Sequence, residues 1–367
     1  MVDESLAAKL RPLREGIDAM DREILGLVSR RARLAQEVGK VKEAAGAKGD
    51  DGQVLRPERE AQIVRALQRA NDGPLPDEAV AAIWTEIISA CRGLERTLTV
   101  AYLGPQGSFS EQAAFGHFGH SAQGIPCSNF DEVFRCVEAG QADVGMVAVE
   151  NSTEGAVNRT LDLLLHSPLK ILGEHSLQIR HCLMARDGMD AVKRILAHPQ
   201  ALAQCQEWLN REYPGVPRDA VSSNAEAARL AAADPSIAAI AGESAAEVWG
   251  LAVVAAGIQD DAQNRTRFLA IGKRDAERSG GDKTSLVFAV PNRAGAVYDM
   301  ISPLARFGVS MTRFESRPAR TGQWEYYFYV DVQGHRADEN VAGALAALQE
   351  RAAFFKILGS YPAQQLA

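Results

Sequence analysis

Little cysteine, no surplus of positive charge and no long apolar run mark this chain, and each absence excludes something. Its 367 residues hold five cysteines (Cys91, Cys127, Cys136, Cys182, Cys205), an odd number with no C-x-x-C pair. Free thiols in a reducing cytoplasm fit that set better than a disulfide frame or a zinc site. The formal net charge of -7 argues against a nucleic-acid partner, whose phosphates need a basic face. No stretch approaches the roughly 20 apolar residues that cross a bilayer. The opening MVDESLAAKLRPLR carries early acids and no apolar core, unlike a secretion signal. The expectation is a soluble, cytoplasmic protein with no membrane partner. With 46% hydrophobic and 24% charged residues the chain is globular, and its length suits two or three domains.

Residues 1–97 contain nothing that reads as a strand. Apolar positions at Leu13, Ile17, Met20, Ile24, Leu27, Leu34, Val38 and Val41 step by threes, fours and their sum. They predict a helix of about 35 residues, roughly 50 Å long at 1.5 Å per residue. A small monomeric domain cannot cover that length, so a packing partner is required. The polar stretch 46–53 breaks it; a second helix follows from Arg56 with Pro57 in its first turn, and a third runs from about Pro76 to Glu95.

From Leu98 the texture changes. Strand-like runs (LTVAYLG, ADVGMVAVE, KILGEHSLQI, SIAAIAG, RFLAIG) alternate with helical ones (SEQAAFGHF, FDEVFRCVEAG, ALAQCQEWLNREY, NAEAARLAAA). That predicts an α/β domain over 98–275 with parallel or mixed sheets, large enough for two lobes around a cleft. After the charged linker RDAERSGGDK, residues 282–367 read strand–helix–strand–strand–helix–strand, the ferredoxin-like βαββαβ unit. The fold class is therefore multi-domain: all-α, then two-lobed α/β, then α+β.

On the first helix Arg31 and Lys42 are 11 residues apart, within about 20° of one face and roughly 16 Å along the axis. Two such cations can lean toward a small dianion. Arg14 is 28 residues from Lys42, roughly 42 Å away, and can join that site only from an antiparallel partner helix. Any one of these residues alone is more often a solvated charge. Taken together, LREGIDAMDREILGLVSRRARLAQEVGKVK, RPERE and SACRGLE resemble the all-helical chorismate mutases across residues 5–96. The resemblance implies an intertwined dimer whose sites each borrow Arg14 from the partner. It casts Arg31, Lys42 and Arg59 as local cations and Glu60 as the carboxylate holding the substrate hydroxyl. Chorismate rearranges to prephenate in one pericyclic step that needs no cofactor and no metal. Cations and donors fold the dicarboxylate and stabilise charge on the breaking ether oxygen. Arg56 stands where the family often has aspartate, Cys91 where it often has serine, and Glu95 where a glutamine donates to the ether oxygen. A carboxyl group donates only when protonated, so mutase activity is expected to rise as pH falls.

Between a strand and a helix lies GPQGSFS (Gly104 to Ser110), an ordinary glycine turn or an anion cradle at a helix N-terminus. With ENSTEG, HPQALAQC and NRTRF it resembles prephenate dehydratase from Thr99 to Gly272. The resemblance implies loss of CO2 and water from prephenate to give phenylpyruvate. Thr266 matches the family's essential threonine and is assigned to donating a hydrogen bond to the leaving hydroxyl. Asn151 and Gln204 match residues that position substrate, with Ser152 beside them. Ala197 replaces a frequent serine. His181 and His198 are left outside the catalytic set.

Residues 282–367 resemble an ACT regulatory domain. PNRAGAVY carries Asn292, Gly295, Ala296 and Val297, the last in place of leucine, and ESRP supplies Glu315, Ser316, Arg317 and Pro318. The resemblance implies that L-phenylalanine binds between these motifs across a dimer interface and inhibits the enzyme by population shift. The expected partners are chorismate, prephenate, L-phenylalanine and further copies of the chain. Two other readings stand beside this one: a dehydratase whose helices serve dimerisation alone, and a non-catalytic amino-acid sensor.

Overall fold

The computed structural model describes residues 2–46, 54–290, 293–318 and 326–364, with only the backbone of residues 2–5. Three helices come first: α1 (Val2–Ala44), α2 (Pro57–Ala70) and α3 (Asp77–Gly93). α1 begins earlier than the apolar stripe suggests and runs through Pro12. The flanking Ala7, Ala8, Lys9 and Leu10 are strong helix formers, which helps the helix accommodate Pro12. All eight stripe residues are at least half exposed in the single chain, from Val38 at 50% to Val41 at 68%.

The α/β segment follows as β1 (Thr99–Leu103), α4 (Phe109–Phe118), β2 (Gln123–Cys127), α5 (Phe130–Glu138), β3 (Val144–Asn151), β4 (Gly155–Ala156), α6 (Asn158–His166) and β5 (Lys170–Gln178). A second lobe holds β6 (Cys182–Ala185), β7 (Arg194–Ala197), α7 (Pro199–Gln204), α8 (Gln206–Glu212), β8 (Arg218–Ala220), α9 (Asn224–Ala233), β9 (Ile237–Ala241), α10 (Glu243–Trp249) and β10 (Ala252–Ala256). The chain then returns to the first lobe as β11 (Arg265–Gly272). The first sheet has the order β2-β1-β3-β11-β5, with β4 on β3; the second has β10-β6-β9-β7-β8. Both mix parallel and antiparallel pairs. The two chain crossings between lobes lie side by side, joined by Ile179 N–H to Asn264 O (2.8 Å) and Ile258 N–H to His181 O (3.0 Å).

The last segment is β12 (Asp282–Ala289), α11 (Ala296–Arg306), β13 (Met311–Pro318), β14 (Tyr326–Gln333), α12 (Glu339–Gln349) and β15 (Phe354–Pro362), the expected βαββαβ order. Its antiparallel sheet runs β13-β14-β12-β15, leaving β13 as an edge. Val287, Tyr329, Leu358 and Tyr361 of this sheet share a hydrophobic core with Val147, Leu161 and Leu269 of the first lobe. At Gly359 a Cβ would stand 2.3 Å from the carbonyl oxygen of Ile171, so glycine lets β15 approach β5. The linker is pinned as well. Arg65 of α2 donates to Ser279 Oγ (2.8 Å), Gly281 O (2.6 Å) and Ala363 O (3.1 Å), tying the helical segment to the linker and the C-terminal segment.

Candidate active sites

In the helical segment, Lys42 near the end of α1 donates to Glu95 just beyond α3 at 3.1 Å. Gly39, one turn earlier, allows this: a Cβ there would lie 3.2 Å from Glu95 Cγ. Glu60 of α2 accepts from Arg92 of α3 at 2.6 Å, and the Arg31 charge is close enough to act on it. Burial pushes the Glu60 carboxyl above its ordinary value, and Arg92 works against that rise. Cys91 is buried beside Arg92, and Arg56 stands at the N-cap of α2. Arg31, Lys42, Glu60, Cys91 and Glu95 thus gather at one end of the three helices. Arg59 is exposed, and Arg14 is exposed far up the same unbroken helix. Within one chain neither joins that cluster. Arg92 was not singled out in the sequence. One position after Cys91 it falls on the buried stripe, where arginine is rare unless paired.

In the α/β segment the ends of β3 and β11 meet the second lobe. Asn151 and Thr266 lie directly opposite each other across the β3–β11 pair. Asn151 Nδ2 donates to Thr266 Oγ1 (2.8 Å) and to Asn264 Oδ1 (3.0 Å). Asn264 Nδ2 donates to Gln204 Oε1 (3.0 Å), and Gln204 Nε2 to Thr153 Oγ1 (3.1 Å). Thr153 Oγ1 closes the ring by donating to Asn151 Oδ1 (2.5 Å). Asn151 Oδ1 also accepts from the N–H groups of Thr153 (3.1 Å) and Glu154 (3.2 Å), which can only donate, so Asn151 is fixed with Nδ2 toward Thr266 and the directions of the Asn264 and Gln204 amides follow from it. Thr266 Oγ1 accepts from Asn151, which leaves its own hydrogen for a further acceptor. Ser152 lies next to this ring; its Oγ accepts from Arg265 N–H (3.0 Å) and donates to Asn264 Oδ1 at 3.5 Å.

His181 enters the same network from the crossing into the second lobe. Its Nε2 lies 2.9 Å from Gln204 Oε1, and because that oxygen is an acceptor the imidazole carries its proton on Nε2. Burial lowers the His181 pKa, and the bond to Gln204 works against the drop. Its Nδ1 is buried without a hydrogen-bond partner, and the ring packs edge-on against Phe109 at 5.5 Å. His198, by contrast, caps α7, accepting from Gln200 N–H at 3.3 Å. In the Gly104–Ser110 loop Gly107 N–H is occupied by Glu111 Oε2 (2.6 Å) and Ser108 caps α4, so the loop serves its own helix. Gly107, at φ +81°, is also where the lobes touch: a Cβ would meet Ala245 of α10 at 3.0 Å.

In the C-terminal segment Gly295, at φ +79°, starts α11, followed by the buried Ala296 and by Val297, which packs on the sheet core. A cavity of about 420 Å³ lies against this turn, lined by Val290, Arg293, Ala296, Asp299 and Met300 among others. Asn292 lies outside the described residues. On β13 Glu315 is half-buried, while Ser316 and Pro318 are exposed. Arg317 is buried and turned to the first lobe, with Nη1 2.5 Å from Asn158 O and Nη2 3.1 Å from Asp162.

A helical domain with a cationic cluster, a two-lobed α/β domain with a hydroxyl–amide ring and a βαββαβ sheet together define a multifunctional enzyme with a sensing domain. Chorismate mutase type II matches residues 13–96, prephenate dehydratase residues 100–276 and the ACT domain residues 284–350. The bifunctional chorismate mutase/prephenate dehydratase of Neisseria gonorrhoeae is 48% identical, covering 98% of this chain and 99% of its own. That of Stutzerimonas stutzeri is 46% identical over 98% and 99%. Among solved structures, the prephenate dehydratase of Arthrobacter aurescens in complex with L-Phe is 37% identical, with a TM-score of 0.67. It covers 72% of this chain and 90% of its own. The chain belongs to the bifunctional chorismate mutase/prephenate dehydratases.

Proposed function

We propose that the chain rearranges chorismate to prephenate in its helical domain and converts prephenate to phenylpyruvate at Thr266, under inhibition by L-phenylalanine. The functional units are 1–97, 98–275 and 282–367. The observation that carries the dehydratase assignment is the closed ring, which leaves the Thr266 hydroxyl with a hydrogen to give. As the ring carboxylate leaves as CO2, its electron pair enters the ring, and the C–O bond on the opposite carbon breaks. Thr266 donates a hydrogen bond to the departing oxygen, which leaves as hydroxide and takes a proton from solvent. Asn151 and Gln204 orient that hydroxyl and the substrate.

The mutase site is built by two copies of the chain. Arg31, Lys42 and Glu60 come from one, and Arg14 from its antiparallel partner. Support comes from the α1 stripe: eight apolar side chains lie at least half exposed. Covering them twice over in a dimer is worth on the order of 10 kcal/mol. L-Phenylalanine binds at the Gly295–Val297 turn and the Glu315–Pro318 strand, the class of ligand held by the Arthrobacter relative. Arg317 acts there through its anchor on α6. Five buried, unpaired cysteines suit a cytoplasmic setting.

The test is to incubate the full-length chain with chorismate and follow prephenate and phenylpyruvate separately, then to start from prephenate with and without L-phenylalanine. Both products should form, and millimolar L-phenylalanine should slow the second step. Turnover of prephenate alone would leave the helices a dimerisation element; turnover of neither would leave a sensor.

A further inference from the structure

Glu150 and Arg267 lie opposite each other across the β3–β11 pair, adjacent to the Asn151–Thr266 pair. Successive side chains of a strand leave on opposite faces. Where Asn151 and Thr266 face the ring, Glu150 and Arg267 face the C-terminal sheet. There they meet Arg313 and Asp331, which are themselves opposite each other across β13–β14. Arg313 Nε donates to Glu150 Oε2 at 2.7 Å, and Arg267 Nη1 to Asp331 Oδ2 at 2.6 Å. Two cross-strand pairs of alternating charge therefore stand face to face across the domain boundary.

The surroundings hold this square. Arg267 also donates to Glu174 Oε2 (2.9 Å) and to the Tyr361 hydroxyl (3.0 Å), and Ser285 donates to Asp331 Oδ1 (2.5 Å). Side-chain exposure is 18% for Arg267, 6% for Asp331, 11% for Arg313 and 39% for Glu150. The Arg267–Asp331 pair is buried, and such pairs are poor sources of stability compared with apolar packing, yet removing one partner is costly. Their geometry, not their net energy, is what they contribute.

We infer that Arg313 and Asp331 of the ACT domain are positioning residues for the dehydratase reaction: through Glu150 and Arg267 they set where the Asn151–Thr266 pair sits. The inference rests on the reading of Thr266 and Asn151 as the dehydratase pair. It makes the sensing domain a working part of the active site even without effector. It also gives an effector a short route, because Arg313 and the Glu315–Pro318 segment are on one strand.

The test uses the full-length chain without effector. Arg313→Gln and Glu150→Gln should each lower kcat for prephenate roughly tenfold or more while KM stays within about twofold, the signature of a misplaced catalytic group. Arg313→Lys, which keeps the charge, should fall between these variants and the parent. In the double variant Glu150→Gln/Arg313→Gln the loss should be no larger than in either single variant, because both changes break the same ion pair. Chorismate mutase rate in the same preparations reports folding and should not change. Parent-like kcat in both single variants, or losses that multiply in the double variant, would overturn the inference. A Thr266→Ala arm separates the two claims. If it abolishes dehydration while the charge variants work normally, only the positioning role falls; if it leaves kcat intact, the catalytic reading falls and the positioning role with it.

Discussion

A hydroxyl is a poor acid, and the role proposed for Thr266 depends on the way its neighbours are committed. Asn151 spends its oxygen on Thr153 and on the Glu154 N–H, so only its amino group is left to face Thr266. Glu95 shows the converse restriction. It already accepts from Lys42, and as a carboxylate it has nothing to donate to an ether oxygen. Glu95→Gln should accept from Lys42 with its oxygen and donate with its nitrogen. We expect mutase kcat/KM at neutral pH to rise on the order of tenfold, with a flatter pH profile. An unchanged profile would discard that role. His117 and His175 bear on acid stability. Burial lowers their pKa values to about 3 and about 4, with His175 and Arg92 adding to the drop at His117. The unfolded chain then binds more protons below pH 6.5, so their stabilisation is whole above that pH and is lost as pH falls toward 4. Between pH 6.5 and 5 the two could remove up to roughly 4 kcal/mol, less for the water that enters the cavity they line. Thermal midpoints measured across that range should fall, and His175→Gln should flatten the fall. The motifs ENSTEG, HPQALAQC and NRTRF single out Asn151, Gln204 and Thr266, which the structure brings into one ring. Thr153 and Asn264 lie in the same motifs, but their parts in the ring, like that of His181, depend on contacts between segments far apart in the chain. Arg92 gave one local signal, a cation on an apolar stripe.

Among the elements, α1 was legible in type, since periodicity records which face carries the apolar side chains, and that face stands at least half exposed in the single chain. Ile24→Glu would place a charge in the middle of that stripe. Sedimentation should show a shift toward monomer at micromolar concentration, with mutase activity lost alongside and dehydratase activity less affected. A tight dimer with normal mutase activity would contradict the intertwined arrangement. The run ALAQCQEWLNREY reads as one helix, yet the chain breaks it at Cys205 into α7 and α8. Asp260 caps the second piece, accepting from Glu207 N–H (3.0 Å) and Trp208 N–H (3.1 Å). A cap supplied from more than 50 residues away leaves no local trace. The short strands β6 and β7 escaped notice for a related reason: they are buried almost throughout and paired on both sides, so no alternation marks them. β10 escaped for the opposite reason, as a mostly exposed edge strand paired with β6 alone. The βαββαβ order, by contrast, could be read from start to end, because turns and apolar runs there follow each other closely.

Over the whole molecule, domain types were legible and domain contacts were not. Arg65, Arg92, Arg317 and Lys356 each cross a boundary mainly to reach backbone carbonyls; Lys356, for example, donates to Leu164 O, Leu165 O and Ser167 O at the end of α6. A carbonyl has no sequence signature, which is why such contacts emerge only in three dimensions. The same contacts bind the three parts into one body, while the side chains proposed to meet each substrate come from separate segments. Separate chemistry in a joined frame is therefore the central claim, and two variants test it together. Thr266→Ala should convert chorismate to prephenate at the parent rate and lower prephenate turnover by roughly 10²–10⁴-fold. Arg31→Ala should do the reverse, losing on the order of 10²-fold in mutase kcat/KM with dehydration unchanged. If either variant kept both rates, or either lost both while still folded, the division of labour described here would be contradicted.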